Sequence, residues 1–514
     1  MQISWFLFGA SSASTYGYKT KVMSTGDIVV AGYTSGSFTD FTSAGSNDFL
    51  VQKYSATGTL LWTQQLGSSS FDVLDALDVD TGGNIYVAGY SMASFDGNTY
   101  NGAADITFIK FNSSGAKLFS GEIGGTGDDN ANGVAVDNTR GYFYIVGYTF
   151  SPLFDGQNLT GTADTVWLKY DSATGTKQAH YQSNTTSTSW FTGIGLDSAG
   201  DSWIVGYTLA STYLSLTSHG AHDVIVQKLS SNGSNMFVAL EGGSVDDYGT
   251  AICLDSSDNV YITGYSSSTT IDGQTGHGAY DVLIYKLHNN GTKLFTILAG
   301  SSGTDRGFAI AVDEANGVFV VTGSTRSTSF YGNTVTVPQA NFLLTFAMSE
   351  GTRIYAAVYS GSSRSSNSFG IAVGNNMVYT TGFTTQAYFG QPLTGTQDGY
   401  LLAIGSSPTA VPTMMPTMAP SPAPANSTRT TRGAMIGIIV GVVLVVGLIC
   451  SIVFYFFRQR QKAGTTVYAD NQQQTAVAVP VENTNTETGT VGVSNDCCTS
   501  LISILLISCS VRLV

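Results

Sequence analysis

The sequence predicts an all-β fold: a seven-bladed β-propeller of four-stranded antiparallel blades, its N-terminal strand closing the last blade, followed by one transmembrane α-helix. Two features predict the propeller. A strand ending in Gly-Tyr/Phe-Thr/Ser recurs as VVAGYT, YVAGYS, YIVGYT, WIVGYT, YITGYS, VVTGST and YTTGFT. Its glycines, Gly32, Gly89, Gly147, Gly206, Gly264, Gly323 and Gly382, are 57, 58, 59, 58, 59 and 59 residues apart, the signature of a repeat architecture. Each period also holds four stretches of strand length, which is one blade. A third feature predicts the helix: residues 434–457 are 24 uncharged residues, long enough to cross a hydrocarbon core of ~30 Å.

Composition agrees. The chain has 514 residues, 60 of them Gly, with 27 Tyr, 27 Phe and only 11% charged residues, as expected of short aromatic-rich strands joined by tight turns. Hydrophobic residues at 42% are enough to fill a core, which excludes a wholly disordered chain. A net charge of −14 excludes a nucleic-acid binder, which needs cations to neutralise phosphates. Cys253 is alone in the head, with Cys450 in the span and Cys497, Cys498 and Cys509 beyond it. The head therefore holds together by packing, without an internal disulfide.

Within each unit the first strand is the Leu77–Asp80 type, repeated at 134–137, 194–197, 252–255 and 310–313, and the marker strand is second. The third begins at an Asp with a Lys five residues on: Asp48/Lys53, Asp105/Lys110, Asp164/Lys169, Asp223/Lys228 and Asp281/Lys286. The sixth unit has Asn341 and Phe346 there, and the seventh Asp398 and Ala403. The fourth is the Leu61–Gly67 type, repeated at Leu118, Met236, Leu294 and Ile354. The seventh unit lacks a fourth strand after Ile404, while Ile3–Gly9 is an orphan one; that strand is expected to complete the last blade.

Segments such as Gly242–Gly249, Ala251–Asp255 and Asn259–Tyr265 resemble the seven-bladed β-propeller (SBBP) repeat family, over nearly all of residues 1–405. The resemblance implies the fold and a surface or secreted setting, and brings no catalytic motif. Blade one has Met23 and blade seven Gly374 where the repeat's Asp is expected, both beside the seam.

Four regions follow: a propeller ectodomain (1–405), a Pro/Ser/Thr-rich stalk (406–432), the helix (434–457) and a mostly disordered cytoplasmic tail (458–514). Six of ten prolines lie between Pro408 and Pro424, the composition of an extended spacer. Arg458, Arg460 and Lys462 follow the apolar run while Arg429 and Arg432 precede it, a slight bias toward a cytoplasmic C-terminus. The sequons at Asn112, Asn158, Asn184, Asn232, Asn290 and Asn426 all precede the run, which favours a type I glycoprotein. Met1–Ala10 does not read as a signal peptide, so a leader is expected upstream of Met1. Gly437 and Gly441 form a GxxxG that either pairs two helices or merely reflects the small residues common in spans. Cys497 and Cys498 are open to palmitoylation but lie far from the membrane exit.

Candidate functional residues are few. Asp72, Asp129, Asp247 and Asp305 stand 17 or 18 residues before their marker glycines, with Thr15, Ser189 and Ser365 in the other blades. They either bond the neighbouring blade's backbone or rim the central channel as an acidic mouth able to take calcium. Connections between second and third strands run about a dozen residues, differ between blades and all emerge on one face, where function concentrates on a regular scaffold. Their aromatics Phe38, Phe95, Phe154, Tyr213 and Phe330 either form a ligand surface or plug the gaps between blades. His219, His222 and His277 either approach one another to hold a metal or are simply solvated.

No G-x-S-x-G, H-E-x-x-H or phosphate-cradling GK[ST] occurs, so the sequence gives no basis for an enzyme. The expected function is a cell-surface binding or adhesion glycoprotein, presenting its long-loop face to an extracellular protein or glycan or to its own kind. A structural surface coat is the alternative. A glycan-cleaving propeller is a third, with the four aspartates as its only candidate carboxylates. The expected location is the plasma membrane or another secretory-pathway membrane, with the propeller outside or lumenal.

Overall fold

The computed structural model describes residues 3–8, 13–360, 365–385, 393 and 395–405. The stalk, the apolar run, the tail and Asn426 lie outside them. Among the described residues no helix is long and apolar enough to cross a membrane.

Seven four-stranded antiparallel sheets form the seven blades. Their innermost strands are Thr15–Val22, Asp72–Val79, Asp129–Asp137, Ser189–Leu196, Asp247–Leu254, Asp305–Asp313 and Ser366–Gly374. In blades 1 to 6 the chain then meanders outward in order. In blade 7 the outermost strand is the N-terminal Ile3–Phe8, antiparallel to Asp398–Gly405 with Trp5 opposite Leu402.

The marker strands read as continuous apolar runs because both of their faces are covered by neighbouring blades. In Ile85–Ser91 every residue is buried except Tyr90. Core clusters cross the blade boundaries: Tyr86 of blade 2 packs with Phe143 of blade 3, and Tyr261 of blade 5 with Phe319 of blade 6. Two polar devices lace the blades together. The backbone N–H that opens one innermost strand donates to the residue just before the preceding blade's third strand, as Asp129 to Ala104 O at 2.8 Å and Asp305 to Tyr280 O at 2.8 Å. The third-strand lysines reach into the next blade: Lys110 Nζ donates to Ser172 O at 2.6 Å and Lys286 Nζ to Met348 O at 2.7 Å. The seam between blades 7 and 1 repeats the first device, with Thr15 N donating to Gln397 O at 2.9 Å. In place of the lysine it has a bond from Asn375 Nδ2, in a blade 7 turn, to Gly26 O at 2.8 Å.

The connections expected to differ in every blade share a design. In blades 3 to 6 each holds a miniature hairpin: Leu153–Phe154 with Gln157–Asn158, Thr212–Tyr213 with Leu216–Thr217, Thr270–Ile271 with Gln274–Thr275, and Ser329–Phe330 with Asn333–Thr334. The two central residues have positive φ, as at Asp155 (47°) and Gly156 (83°), the type I′ turn that suits the twist of a two-residue hairpin.

Candidate functional site

The site follows from the marker glycines. In every blade the innermost strand carries a β-bulge just past the residue facing that glycine. Gly89 pairs with Leu74 and Ala88 with Ala76, which leaves Asp75 unpaired. The same slip occurs between Gly17 and Lys19, Ala131 and Gly133, Phe191 and Gly193, Gly249 and Ala251, Gly307 and Ala309, and Ser368 and Gly370. The bulge drives a carbonyl oxygen against the marker glycine. A Cβ there would land on Tyr16 O at Gly32, on Val73 O at Gly89 and on Tyr248 O at Gly264, so only glycine fits.

A bulge re-aims its extra side chain. The seven extra residues, Tyr18, Asp75, Asn132, Thr192, Thr250, Phe308 and Phe369, all line one cavity of about 420 Å³, together with Lys19, Tyr148, Trp190 and Tyr207. Innermost strands start, and second strands end, on the face from which the long connections emerge. Bulges near those starts put the cavity at the long-loop mouth of the central channel.

Aromatic rings surround this mouth. Tyr148 stacks on Trp190 at 4.5 Å, Trp190 meets Tyr207 at 5.4 Å, and Tyr207 meets Tyr248 at 4.9 Å. The contacts continue through Tyr265, Phe308, Phe369 and Phe383 to Tyr16. From Tyr16 they pass by Tyr33 and Phe71 to Tyr90. Among the described residues no ring contact joins Tyr90 to Tyr148, so the belt is a horseshoe open between blades 2 and 3. Asp75 and Asn132 line the cavity at that opening. Burial pushes the hydroxyls of Tyr33, Tyr148 and Tyr207 up, so the wall stays uncharged.

The polar groups of the mouth divide in two. Asn132 Nδ2 donates to Phe191 O (2.7 Å), Thr192 Oγ1 to Gly249 O (2.8 Å) and Thr250 Oγ1 to Gly307 O (2.8 Å), each bonding the next blade. Lys19 and Asp75 differ: they attract one another electrostatically but form no contact ion pair among the described residues. Burial raises the Asp75 carboxyl to about 6 against the pull of Lys19 and a bond from Asn130. Burial also lowers Lys19, which Asp75 opposes. Deeper in the channel lies a second cavity of about 320 Å³, lined by Leu77, Val134, Ile194, Ile252 and Ile310, and by Lys21 and Cys253. Lys21 pairs there with Asp78 at 2.9 Å.

The residues singled out in the sequence lie elsewhere. Asp72, Asp129, Asp247 and Asp305 do open innermost strands but are fully enclosed (0% exposed), which corrects the expectation that they rim the mouth. Each accepts a backbone N–H from four residues earlier, as Asp129 from Gly125 (2.7 Å) and Asp305 from Ser301 (2.7 Å), and each a nearby hydroxyl, as Asp129 from Ser151 (2.7 Å). The third-strand Asp of the preceding blade lies beside each, because the cross-blade hydrogen bond brings the two strand starts together. Burial raises all four carboxyls. The blade 7 equivalent is Ser366, opposite Thr384, rather than Ser365; the two-residue turn at Asn375 and Asn376 shortens the count by one.

Phe95, Phe154, Tyr213 and Phe330 are buried at 4% exposure or less, and Phe38 is half-buried. They anchor their connections between blades, and the four buried rings offer no ligand surface. The histidines do not converge: His222 Nδ1 meets Asp246 at 2.6 Å, while His219 and His277 lie beside Asp223 and Asp281 at 3.5 and 3.9 Å. Among the described residues no group of three or more His, Cys, Asp or Glu could hold a metal. Asn112, Asn232 and Asn290 sit in turns on the face opposite the mouth, whereas Asn158 and Asn184 are exposed on the long-loop face.

No family model matches the chain, and no curated protein matches it. The resemblance to SBBP repeats therefore rests on the quoted segments alone. Among solved structures, the chain is similar to the Pan2 WD40 domain of Neurospora crassa, with 8% identity, a TM-score of 0.43, and 78% of this chain and 96% of that one covered. It is also similar to the quinohemoprotein alcohol dehydrogenase of Comamonas testosteroni, with 9% identity, a TM-score of 0.38, and 79% and 77% covered. Likenesses at this level carry no argument about function.

Proposed function

We propose that this chain is a non-enzymatic binding protein of a cell surface, which captures an extracellular protein or glycan at the aromatic mouth of its propeller. The observation that carries this reading is the horseshoe of half-buried rings around a 420 Å³ cavity on the long-loop face. Concave sites of a few hundred Å³, mostly apolar with a few convergent polar groups, are the usual form of a ligand pocket. The polarity of the chain fits as well. Asp398–Gly405 runs away from the mouth, so a stalk at 406–432 and a span at 434–457 would leave from the opposite face and turn the mouth outward from the membrane.

The test uses beads coated with residues 1–432, wild type or Trp190→Ala, applied to cell layers and extracellular matrix. Wild-type beads adhere and Trp190→Ala beads do not. Aggregation of the beads among themselves identifies the ligand as a second copy. Adhesion that survives Trp190→Ala with the propeller still folded overturns the mouth as the site.

A further inference from the structure

The mouth's chemistry narrows its ligand. Its walls are aromatic rings that stay neutral, Trp190 and Tyr148, which stack on each other, and, across the cavity, Phe308 and Phe369. Its opening carries one donor and one acceptor not spent on each other, the Lys19 ammonium and the Asp75 carboxylate. Of the other polar side chains at its wall, Asn132, Thr192 and Thr250 give donors to backbone carbonyls of the next blade, while the Trp190 Nε1–H is enclosed without a partner.

A strongly charged ligand fits poorly here. An anion meets Asp75, and a cation meets Lys19, each at close quarters in a partly desolvated site where an unpaired charge is costly. A wholly apolar ligand would offer nothing to either group. Lys19 has only the attraction of Asp75, and Asp75 only that and a bond from Asn130, so their further desolvation would go uncompensated. The walls and the opening are satisfied together by a neutral molecule with a flat C–H face and hydroxyls that donate and accept along its edge. Resting on the mouth as the ligand site, we propose that it binds a neutral saccharide ring, packed against the aromatic rings that line the cavity, Trp190 among them, with adjacent hydroxyls between Lys19 and Asp75. The gap in the horseshoe between blades 2 and 3 is where a longer chain would leave the cavity, since among the described residues no ring contact closes that side.

The experiment is calorimetric titration of the full-length chain in detergent micelles. The probes are methyl glycosides and short oligomers of glucose, galactose, mannose and N-acetylglucosamine, with tetramethylammonium and free glycine alongside. At least one neutral saccharide binds. Asp75→Asn, which keeps the side chain's shape, and Trp190→Ala each weaken that binding at least tenfold. Lys117→Ala, on the outer rim against Asp96, leaves it unchanged, and thermal melts confirm that each variant is folded. Three outcomes overturn the assignment: binding of tetramethylammonium or glycine in place of every saccharide, no binding of any probe, or saccharide binding indifferent to Asp75→Asn and Trp190→Ala. The first leaves the mouth as a binding site with a different ligand class. The last removes the mouth itself, as would bead adhesion that survives Trp190→Ala.

Discussion

Glu122 stands in blade 2 where Gln65 stands in blade 1: each faces the residue two places into its third strand, and each accepts a backbone N–H from the neighbouring connection, Phe95 at 3.1 Å and Phe38 at 3.0 Å. Gln65 then donates through Nε2 to Asp48 Oδ2 at 2.6 Å, and Gln182 does the same to Asp164 in blade 3 at 2.9 Å. Glu122 has no amide to give. Its Oε2 and Asp105 Oδ1 are both enclosed without partners, and burial raises Glu122 to about 7 and Asp105 to about 6.

Those two raised carboxyls set a pH dependence. The native state holds protons that the unfolded chain has released, so the associated stability is full below the ordinary carboxylate range. It is lost as pH rises through about 6 to 7. Glu122→Gln restores the donor that blades 1 and 3 use. It should raise the melting temperature by about 2 °C at pH 8 and change it little at pH 5. Equal melting shifts at both pH values would show that Glu122 does not carry the proton.

The marker glycines couple fold and site. Gly264→Ala places a methyl group on Tyr248 O, so either the bulge relaxes or the strands part. The expected cost is about 3 kcal/mol, with Thr250 displaced from the mouth. Measured by urea unfolding, an effect no larger than that of an alanine at Gly97, where a Cβ meets nothing within 4 Å, would show that the bulge is not held by close contact there. Gly97 lies at φ 78°, so its own alanine variant sets the cost of backbone strain alone.

The repeat was legible because the bulge can use no other residue than glycine, and its period survives every other change. The site is less legible because the residue after that glycine belongs to the same recurring strand and carries no separate signal of its own. Tyr33, Tyr90, Tyr148, Tyr207, Tyr265 and Phe383 are aromatic at a half-buried position, next to last in a strand that is otherwise buried apart from the first residue in two of the six. Ser324 breaks the series. That regularity was present in the sequence, but nothing in it shows that the position faces a channel. The bulge that aims Asp75 inward also leaves no trace in the spacing, since turn lengths vary by a residue from blade to blade. Conversely, Asp-Gly in Phe95–Asn98, Phe154–Gln157 and Ile271–Gln274 is a hairpin signal, and it separates buried anchors from a binding surface.

Closure at the seam makes a separate prediction. Without residues 1–9, the strand Asp398–Gly405 loses the six partner positions on its outer side, and blade 7 keeps three strands with an open edge. Deletion should lower the melting temperature by about 5 °C or more and promote association through that edge. An unchanged melt measured by circular dichroism would mean that Ile3–Phe8 does not hold the ring shut.

Cys253 reports on the channel below the mouth. It lies beside Lys21 and Asp255, and burial pushes its thiol up to about 12, with Lys21 opposing and Asp255 assisting. Only the thiolate reacts with alkylating reagents. In a chain whose other four cysteines are serine, labelling by iodoacetamide at pH 8 should run roughly a thousandfold slower than in urea-unfolded protein. Because the lower channel is walled mainly by Val134, Ile194, Ile252 and Ile310, that protection depends on the blades staying closed around it. Deleting residues 1–9 should therefore speed the labelling of Cys253 at temperatures where the wild-type chain remains protected. Equal rates in the two chains would place the opening of the ring elsewhere than the seam.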